Sequence, residues 1–221
     1  MASASTILER ARLGYKRLSG ADLSRAELSG ADLNGADLED ANLSGAILNG
    51  AILCDAELHG ADLRNAKLIG ADLNYAKLIG AKLAGADLSG ANLDGVNLNG
   101  VNFRDAKLIG ARLTNAGGSA YFVGANLTGA NLTGTQLIDS NLSGANLNGA
   151  KLTSAILLKA NLSGADLSGA DLSHANLEGA DLTGADLRHA NLKRANLDGA
   201  NLFEAQLDGA TMPDGKKYKA K

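Results

Sequence analysis

The chain has 221 residues, of which 45% are hydrophobic, and a formal net charge of −3. It contains three Phe, four Tyr and no Trp, which excludes an interior built on large aromatic side chains, while the hydrophobic content excludes a disordered polymer. The mild, mixed charge argues against a nucleic-acid binder and against a membrane-surface protein.

The N-terminal segment carries the signals of a short helix. Thr6-Ile7-Leu8-Glu9 has the pattern of a helix capping box, and Gly14 is a typical helix stop. We expect a helix from about residue 6 to residue 13, inside an N-terminal cap of residues 1–15 that covers the first repeats. The segment lacks the apolar run of a signal peptide, and no stretch of the chain approaches a membrane span. We therefore expect a cytoplasmic protein.

From Leu18 onward a leucine recurs every five residues, usually with alanine two positions before it, as in Ala21-Asp22-Leu23-Ser24-Arg25. A period of five fits neither a helix nor a plain strand, so it indicates a repeating unit that turns. With the leucine as position i, residues i−2 and i point inward from a short extended segment and i−1 points outward. Positions i+1 and i+2, where glycine is common, then turn a corner. Successive turns of such a coil pair as parallel strands.

The repeats form two runs that are out of phase. One run extends from Leu18 to Leu113 and the other from Phe122 to Met212, separated by Ala116-Gly117-Gly118-Ser119, with glycine where leucine would stand. We expect a bulge or small loop in one corner at this register slip. The i−2 residue is nearly always alanine, and the main exceptions inside the array are Val96, Val101, Thr135 and Ser140.

The pattern A-[D/N]-L-x-x covers about nine-tenths of the chain and resembles the pentapeptide-repeat family. The resemblance implies an all-β protein, a right-handed quadrilateral parallel β-helix of about ten coils, roughly 48 Å long at about 4.8 Å per coil. The β-helix would span residues 16–212. The Ala-Thr-Met-Pro-Asp-Gly ending is similar to those of cyanobacterial members, and residues 213–221 would be a basic C-terminal tail, solvated and frayed.

The sequence offers no catalytic, cofactor or metal motif. The three histidines fall at corners without partners at metal-ligand spacing, and no phosphate-binding loop or Ser-His-Asp order is present. Asp and Asn at i−1 are typical of local hydrogen bonds near corners. Cys54 has no basic neighbour in the sequence that would lower its pKa. We expect neither an enzyme nor a bound cofactor.

Apolar residues at outward positions are the candidate partner-binding surface. They form two groups, each on one wall of the predicted β-helix. The first group consists of Ile47, Lys67, Ile69, Lys107 and Ile109, and the second of Ile138, Ile156 and Leu158. The register slip at Gly117 and Gly118 is a further candidate position. Isolated surface isoleucines also suit β ladders without any partner. Residues 21–60 carry eight acidic side chains and one basic one, an acidic section that could meet a basic partner.

The resemblance is to cyanobacterial members that regulate heterocyst differentiation, and it implies a non-enzymatic protein–protein interaction scaffold in a developmental or signalling pathway. The alternative is a DNA mimic that inhibits or protects a type II topoisomerase, as the quinolone-resistance members do. Those members carry a strong negative potential and dimerise through a C-terminal element, whereas this chain has mild charge and a lysine tail. A purely structural role is a third possibility. We expect an unknown protein partner, no direct nucleic-acid or membrane binding, and a monomer or a weak dimer through the solenoid ends.

Overall fold

The computed structural model, which describes Glu9, Ala11 and residues 15–219, shows a coil that closes every twenty residues. Each outward i−1 residue pairs in parallel with the residue twenty positions later, as Asp22 does with Asn42 and Asn42 with Asp62. These pairs continue without interruption from Arg17 to Thr211. Four five-residue repeats therefore complete each coil, as the family resemblance implied.

The β-helix spans residues 16–214 in ten coils, which we number from the N-terminus. The first wall begins at Leu18, the second at Leu23, the third at Leu28 and the fourth at Leu33. Each wall contributes a single bridged residue per coil, followed by a two-residue corner, so no strand is longer than one paired residue. Nine coils contain twenty residues and coil 6, residues 116–134, contains nineteen.

Backbone hydrogen bonds tie each wall to the next coil. In the second wall, the Leu23 amide donates to the Asn42 carbonyl (2.7 Å), the Arg25 amide to Ser44 (2.9 Å) and the Asn42 amide to Ala21 (2.9 Å). Within the coil, the Ala26 amide donates to the Leu23 carbonyl (3.1 Å) and closes the corner. The corner residue at i+2 has a left-handed backbone, with φ of 56° at Arg25, which explains the frequency of glycine there.

The inward positions form one continuous core. From Leu33 to Leu192, every central Leu or Phe side chain is fully buried, and the alanines at i−2 pack beside them. Thr135 and Ser140 are the buried polar residues of the described part. The uniform interior agrees with the composition, since small and large residues alternate along each wall and fill a narrow tube.

The two ends of the β-helix differ. Leu18, Leu23 and Leu28 are at most 3% exposed, and Ala11 is fully buried in the same cluster. Glu9 and Ala11 have helical backbone, but the rest of the predicted helix lies outside the described residues, so the helical cap stays a prediction. At the other end, three leucines of coil 10 are only partly buried: Leu197, Leu202 and Leu207.

The C-terminal tail departs from the frayed terminus that we expected. The chain reverses at the turn of Pro213 and Asp214, and Lys217 pairs in antiparallel fashion with Thr211. The Met212 amide donates to the Lys216 carbonyl (2.8 Å), and the Tyr218 amide donates to Ala210 (2.7 Å). These bonds order residues 216–218 on the last coil although their side chains stay exposed.

At the register slip the β-helix loses one residue. Asn97 pairs with Gly117, and Gly117 pairs with Gln136, nineteen positions later. The corner between the first and second walls of coil 6 therefore contains only Ser119. The prediction of a bulge or small loop here is wrong, because the corner is one residue shorter and the parallel ladder continues across it.

Candidate partner-binding surface

Departures from the alanine–leucine interior are concentrated around the shortened corner. Apart from Lys16 and Met212 at the two ends, all of them lie in coils 5–7: Val96, Val101, Phe103, Gly118, Phe122, Thr135 and Ser140. Every side chain in this group is buried. Coil 6 lacks the leucine that Gly118 replaces, and coils 5 and 6 carry bulkier buried residues at Val96, Val101, Phe103 and Phe122.

Ser140 closes the shortened corner from inside. The Ala120 amide has no corner hydrogen bond of the usual kind and donates instead to Ser140 Oγ (3.1 Å). The same hydroxyl donates to the Gly118 carbonyl (3.3 Å). One buried hydroxyl thus replaces the backbone hydrogen bond that the deletion breaks, in agreement with the rule that buried polar groups are paired.

On the outside, the deletion leaves a carbonyl of the first wall without its usual donor. Elsewhere on this wall an i+2 amide donates to the i+1 carbonyl of the next coil, as Gly100 does to Ser119 (2.8 Å) and Asp139 does to Leu158 (3.0 Å). Coil 6 has no i+2 residue at this corner. The Ile138 carbonyl consequently receives no hydrogen bond from the residues that the structure describes.

A surface depression of about 410 Å³ lies at this position on the first wall. We call it the slip notch, and its lining residues are Asn97, Asn99, Gly117, Gly118, Ser119, Gln136 and Ile138. The depression is open because Gly117, at the outward i−1 position, brings no side chain to the surface. No charged side chain lines it.

The second predicted group extends the slip notch along the same wall. Ile138 is 39% exposed, and Ile156 and Leu158 are half-buried one coil further on. From coil 5 to coil 8, every i−1 and i+1 residue of the first wall is uncharged. We call this surface the uncharged face; its outward residues are Asn97, Asn99, Gly117, Ser119, Gln136, Ile138, Ile156 and Leu158. The structure thus joins the slip and the second apolar group, which the sequence had suggested separately.

The first predicted group lies on the third wall but is interrupted. Ile69 and Ile109 are 46% and 43% exposed, and Ser89 stands between them; Ile47 is half-buried. In the i−1 column, Lys67 and Lys107 flank Asp87, and Lys107 Nζ lies 3.9 Å from the Asp87 carboxylate. This wall mixes apolar and charged side chains, and partner binding on it stays a prediction.

A second depression, of about 440 Å³, was not predicted. It lies at the corner between the fourth and first walls and is lined by Asn74, Tyr75, Asp94, Gly95, Thr114 and Asn115. Tyr75 is 62% exposed and covers Gly95 of the next coil. The available signal was a tyrosine at i+2, where most repeats carry glycine.

Several titratable groups of the described part form local ion pairs and hydrogen bonds. No three His, Cys, Asp or Glu side chains among the described residues are placed to hold a metal ion. Asp62 Oδ1 accepts a hydrogen bond from the Arg64 amide (3.1 Å), and the hydrogen-bonded Arg64 guanidinium, 2.5 Å from the other oxygen, holds the pKa of Asp62 below its ordinary value. Cys54 is half-buried, and burial raises the pKa of its thiol. Over residues 15–219, together with Glu9 and Ala11, the structure has no helix with the length and hydrophobicity of a membrane span.

Comparison with known proteins identifies the repeat. The sequence profile of the pentapeptide repeats matches residues 8–40, 36–74, 76–115, 120–157, 145–184 and 180–214. Among solved structures, the chain is similar to HetL, a pentapeptide repeat protein involved in heterocyst differentiation regulation from the cyanobacterium Nostoc sp. strain PCC 7120. The two are 37% identical, the match covers 99% of this chain and 100% of HetL, and the TM-score is 0.68.

Two further solved structures match less well. Trypsin-treated QnrB1, a plasmid-mediated fluoroquinolone resistance protein, is 22% identical over 76% of this chain and 89% of its own, with a TM-score of 0.35. A pentapeptide repeat protein from the Arabidopsis thaliana thylakoid lumen is 32% identical over 52% of this chain and 71% of its own, with a TM-score of 0.25. No curated protein sequence gives a significant match.

Proposed function

Because the chain belongs to the pentapeptide repeat family, we propose that it is a non-enzymatic scaffold that binds another protein along its first wall. The observation that carries the proposal is the uncharged face. Charged residues make up 20% of the chain, yet eight successive outward positions of this wall carry none. Charges return along the wall at Lys77 in coil 4 and Glu178 in coil 9, and at the adjoining corner with Asp139 and Lys159.

The chemistry of the uncharged face suits a protein partner. The cores of protein interfaces are depleted of charged side chains and exclude water. Ile138, Ile156 and Leu158 supply apolar surface, while Asn97 and Gln136 supply hydrogen-bonding groups beside it. Since each coil is hydrogen-bonded to its neighbours, the partner meets a preformed surface and little ordering is needed on binding.

The partner, in this proposal, acts in a regulatory pathway of a cyanobacterium. The support is the similarity to HetL, which extends over 99% of this chain and all of HetL. HetL is involved in the regulation of heterocyst differentiation. A chain that matches HetL over nearly its whole length and shares its repeat type is a candidate for a comparable role.

Complementation in Nostoc sp. strain PCC 7120 tests both parts of the proposal. The chain is expressed in a strain that lacks HetL, and the frequency and spacing of heterocysts are counted at matched protein levels. We expect the unmodified chain to restore HetL-dependent regulation. Failure of the unmodified chain would reject the regulatory role.

Two double variants locate the binding wall in the same strain. Ile138→Asp with Leu158→Asp places charge on the uncharged face and should abolish the effect. Ile69→Asp with Ile109→Asp places the same charge on the third wall and should leave it intact. The reverse result would move the partner surface to the third wall, and circular dichroism of each purified variant checks that the β-helix is retained.

A further inference from the structure

We infer that the slip notch is a socket for a carboxamide side chain, Asn or Gln, of the partner protein, with an aliphatic partner residue beside it on Ile138 and Leu158. This inference rests on the proposed function and specifies the chemistry of the partner segment. It follows from the hydrogen-bonding groups, the charge and the shape of the notch.

Two hydrogen-bonding groups of the notch have no partner among the described residues, whereas Asn97 Oδ1 accepts from the Asn99 amide (3.0 Å) and Asn99 Oδ1 accepts from the Ser119 amide (3.1 Å). The Ile138 carbonyl has lost the amide that its counterparts on this wall receive, and the side-chain amide of Gln136 makes no hydrogen bond to a described residue. Among the residues that line the notch are therefore Ile138, with a free carbonyl acceptor, and Gln136, whose carboxamide both donates and accepts. A partner that covers this surface must satisfy these groups or lose the free energy of their hydration.

The charge of the notch selects a neutral group. Its lining contains no charged side chain, so a lysine or a carboxylate entering it would lose water without gaining a counter-charge. A carboxamide has two N–H donors and a carbonyl acceptor. It can donate to the Ile138 carbonyl and accept from the Gln136 amide at the same time, which a hydrocarbon side chain cannot do.

The backbone at position 117 does not require glycine. A Cβ atom at Gly117 would meet Gln136 Cβ at 3.4 Å, an ordinary contact, and Gly117 does not have a positive φ. Gly118 differs, because its φ is 129° and a Cβ there would lie 2.6 Å from the Asn99 amide nitrogen. Glycine is therefore needed for the fold at Gly118 only, and at Gly117 its consequence is an unfilled space on the surface.

The aliphatic neighbour is placed by the run of apolar residues beside the notch. Ile138 lines the notch, and Ile156 and Leu158 follow in the next coil. In an extended partner segment, residues two apart face the same side and are separated by roughly 6.6 Å. A segment of the type (Asn/Gln)-x-(Leu/Ile/Val) that runs along the solenoid axis would fill the notch with its first residue and cover Leu158 with its third.

A random peptide library displayed on phage tests the inference against the full chain. The library is panned on the unmodified protein after depletion on Gly117→Leu, a variant that fills the notch from a position where the backbone accepts a side chain. We expect enriched peptides to share Asn or Gln two residues before an aliphatic residue. Enrichment of peptides with a charged residue at the first position, or no enrichment over Gly117→Leu, would overturn the inference.

Binding of the selected synthetic peptide is then measured by isothermal titration. Gly117→Leu should weaken it by roughly tenfold or more, the loss expected when hydrogen bonds and packing at one anchor are removed. Gln206→Leu adds a leucine at an exposed i−1 position of the third wall, outside the uncharged face, and should leave affinity unchanged. Replacing the peptide's Gln or Asn by Glu or Asp should weaken binding to the unmodified protein by a similar factor. Unchanged affinity of the peptide for Gly117→Leu, or of the acidic peptide for the unmodified protein, contradicts the socket.

The complementation strain separates this inference from the proposed function. If the unmodified chain restores heterocyst regulation and Gly117→Leu does so equally, the socket is rejected and the scaffold role stands. If Gly117→Leu does not restore heterocyst regulation while Gln206→Leu does, the socket and the scaffold role are both supported. Failure of the unmodified chain rejects the regulatory role, and the peptide measurements then decide the socket by themselves.

Discussion

The rings of Phe103 and Phe122 stack in the second wall, with centroids 4.8 Å apart and planes 7° apart. Both residues are fully buried and occupy the central position of coils 5 and 6, immediately beside the shortened corner. The separation of the rings matches the spacing of about 4.8 Å between paired strands. The ring pair therefore fits the ladder without distortion and adds volume in the coil where Gly118 removes a leucine.

Replacing Ser140 by alanine should destabilise the protein strongly for so small a change. Ser140→Ala leaves the Ala120 amide and the Gly118 carbonyl without their shared partner. A buried polar group left unpaired in this way costs about 1–3 kcal/mol. The free energy of unfolding, measured by urea denaturation, should fall by at least about 1 kcal/mol.

Thr135→Val is the matched control for Ser140→Ala. Thr135 Oγ1 donates to the Leu132 carbonyl (2.9 Å), but that carbonyl already accepts from the Thr135 amide (3.2 Å). Removing the hydroxyl leaves the carbonyl paired, so the loss should be the smaller of the two. A Thr135→Val protein less stable than Ser140→Ala would contradict the repair role of Ser140.

The two glycines of the slip should respond differently to alanine. Gly118→Ala forces a Cβ into the Asn99 amide, at 2.6 Å, from a left-handed backbone, and should cost several kcal/mol, on the order of other severe backbone conflicts. Gly117→Ala should change the free energy of unfolding by less than about 0.5 kcal/mol. Thermal denaturation followed by circular dichroism compares the two, and equal stability would show that the Gly118 conformation is not needed.

Protonation of the Asp62 carboxylate at acid pH should lower the free energy of unfolding. The hydrogen bond from Arg64 lowers the pKa of Asp62 in the folded protein, so the ionised carboxylate stabilises the fold above the ordinary carboxyl pKa of about 3.9. That contribution is lost as the pH falls through the lowered folded-state pKa. Asp62→Asn should melt below the unmodified protein at pH 7, by the equivalent of about 0.5 kcal/mol because the pair is partly exposed.

The difference between Asp62→Asn and the unmodified protein should vanish near the acid limit. The asparagine oxygen can still accept from the Arg64 amide, so the variant isolates the charge. Arg64→Gln should give a similar loss at pH 7, and the double variant should not add the two losses. A melting difference that persists unchanged at low pH would show that the carboxylate charge is not its source.

The chain should have no effect on DNA gyrase. Duplex DNA as long as this β-helix, roughly 48 Å, carries on the order of 28 negative charges at one per about 1.7 Å, whereas the whole chain has a net charge of −3. Ion pairs such as Arg64 with Asp62 and Arg188 with Asp186 neutralise part of the acidic surface. A supercoiling assay at micromolar protein, with and without a fluoroquinolone, measures this; inhibition or protection would favour the DNA-mimic alternative.

The repeat pattern was sufficient to predict a parallel coil and its interior, and the family resemblance supplied the four repeats per coil. The five-residue period states which side chains point inward, and the coil of twenty residues then assigns every residue to a wall. Ile47 and Ile109 were placed on one wall in this way. Such predictions succeed because each repeat obeys the same local geometry and contacts only its neighbours.

The shortened corner could not be predicted in the same way. Ser140 was recognised as an exception at i−2, but its hydroxyl acts on Gly118, 22 residues earlier in the chain. The slip notch likewise depends on the stacking of coil 7 on a coil of nineteen residues. This stacking brings Gln136 and Ile138 beside Gly117. The ordered tail depends on backbone groups that only the last coil leaves available at Ala210 and Met212.

The nineteen-residue coil bears on how arrays of this kind change in evolution. Insertions and deletions in a five-residue repeat are expected to preserve whole repeats, because any other change would turn the leucines of every later coil outward. Here a single residue is missing at a corner, and the leucines after it still point inward. Gene recombination between such arrays is therefore not confined to repeat boundaries: a junction out of phase is acceptable at a corner, provided that a hydroxyl one coil later takes over the broken hydrogen bond.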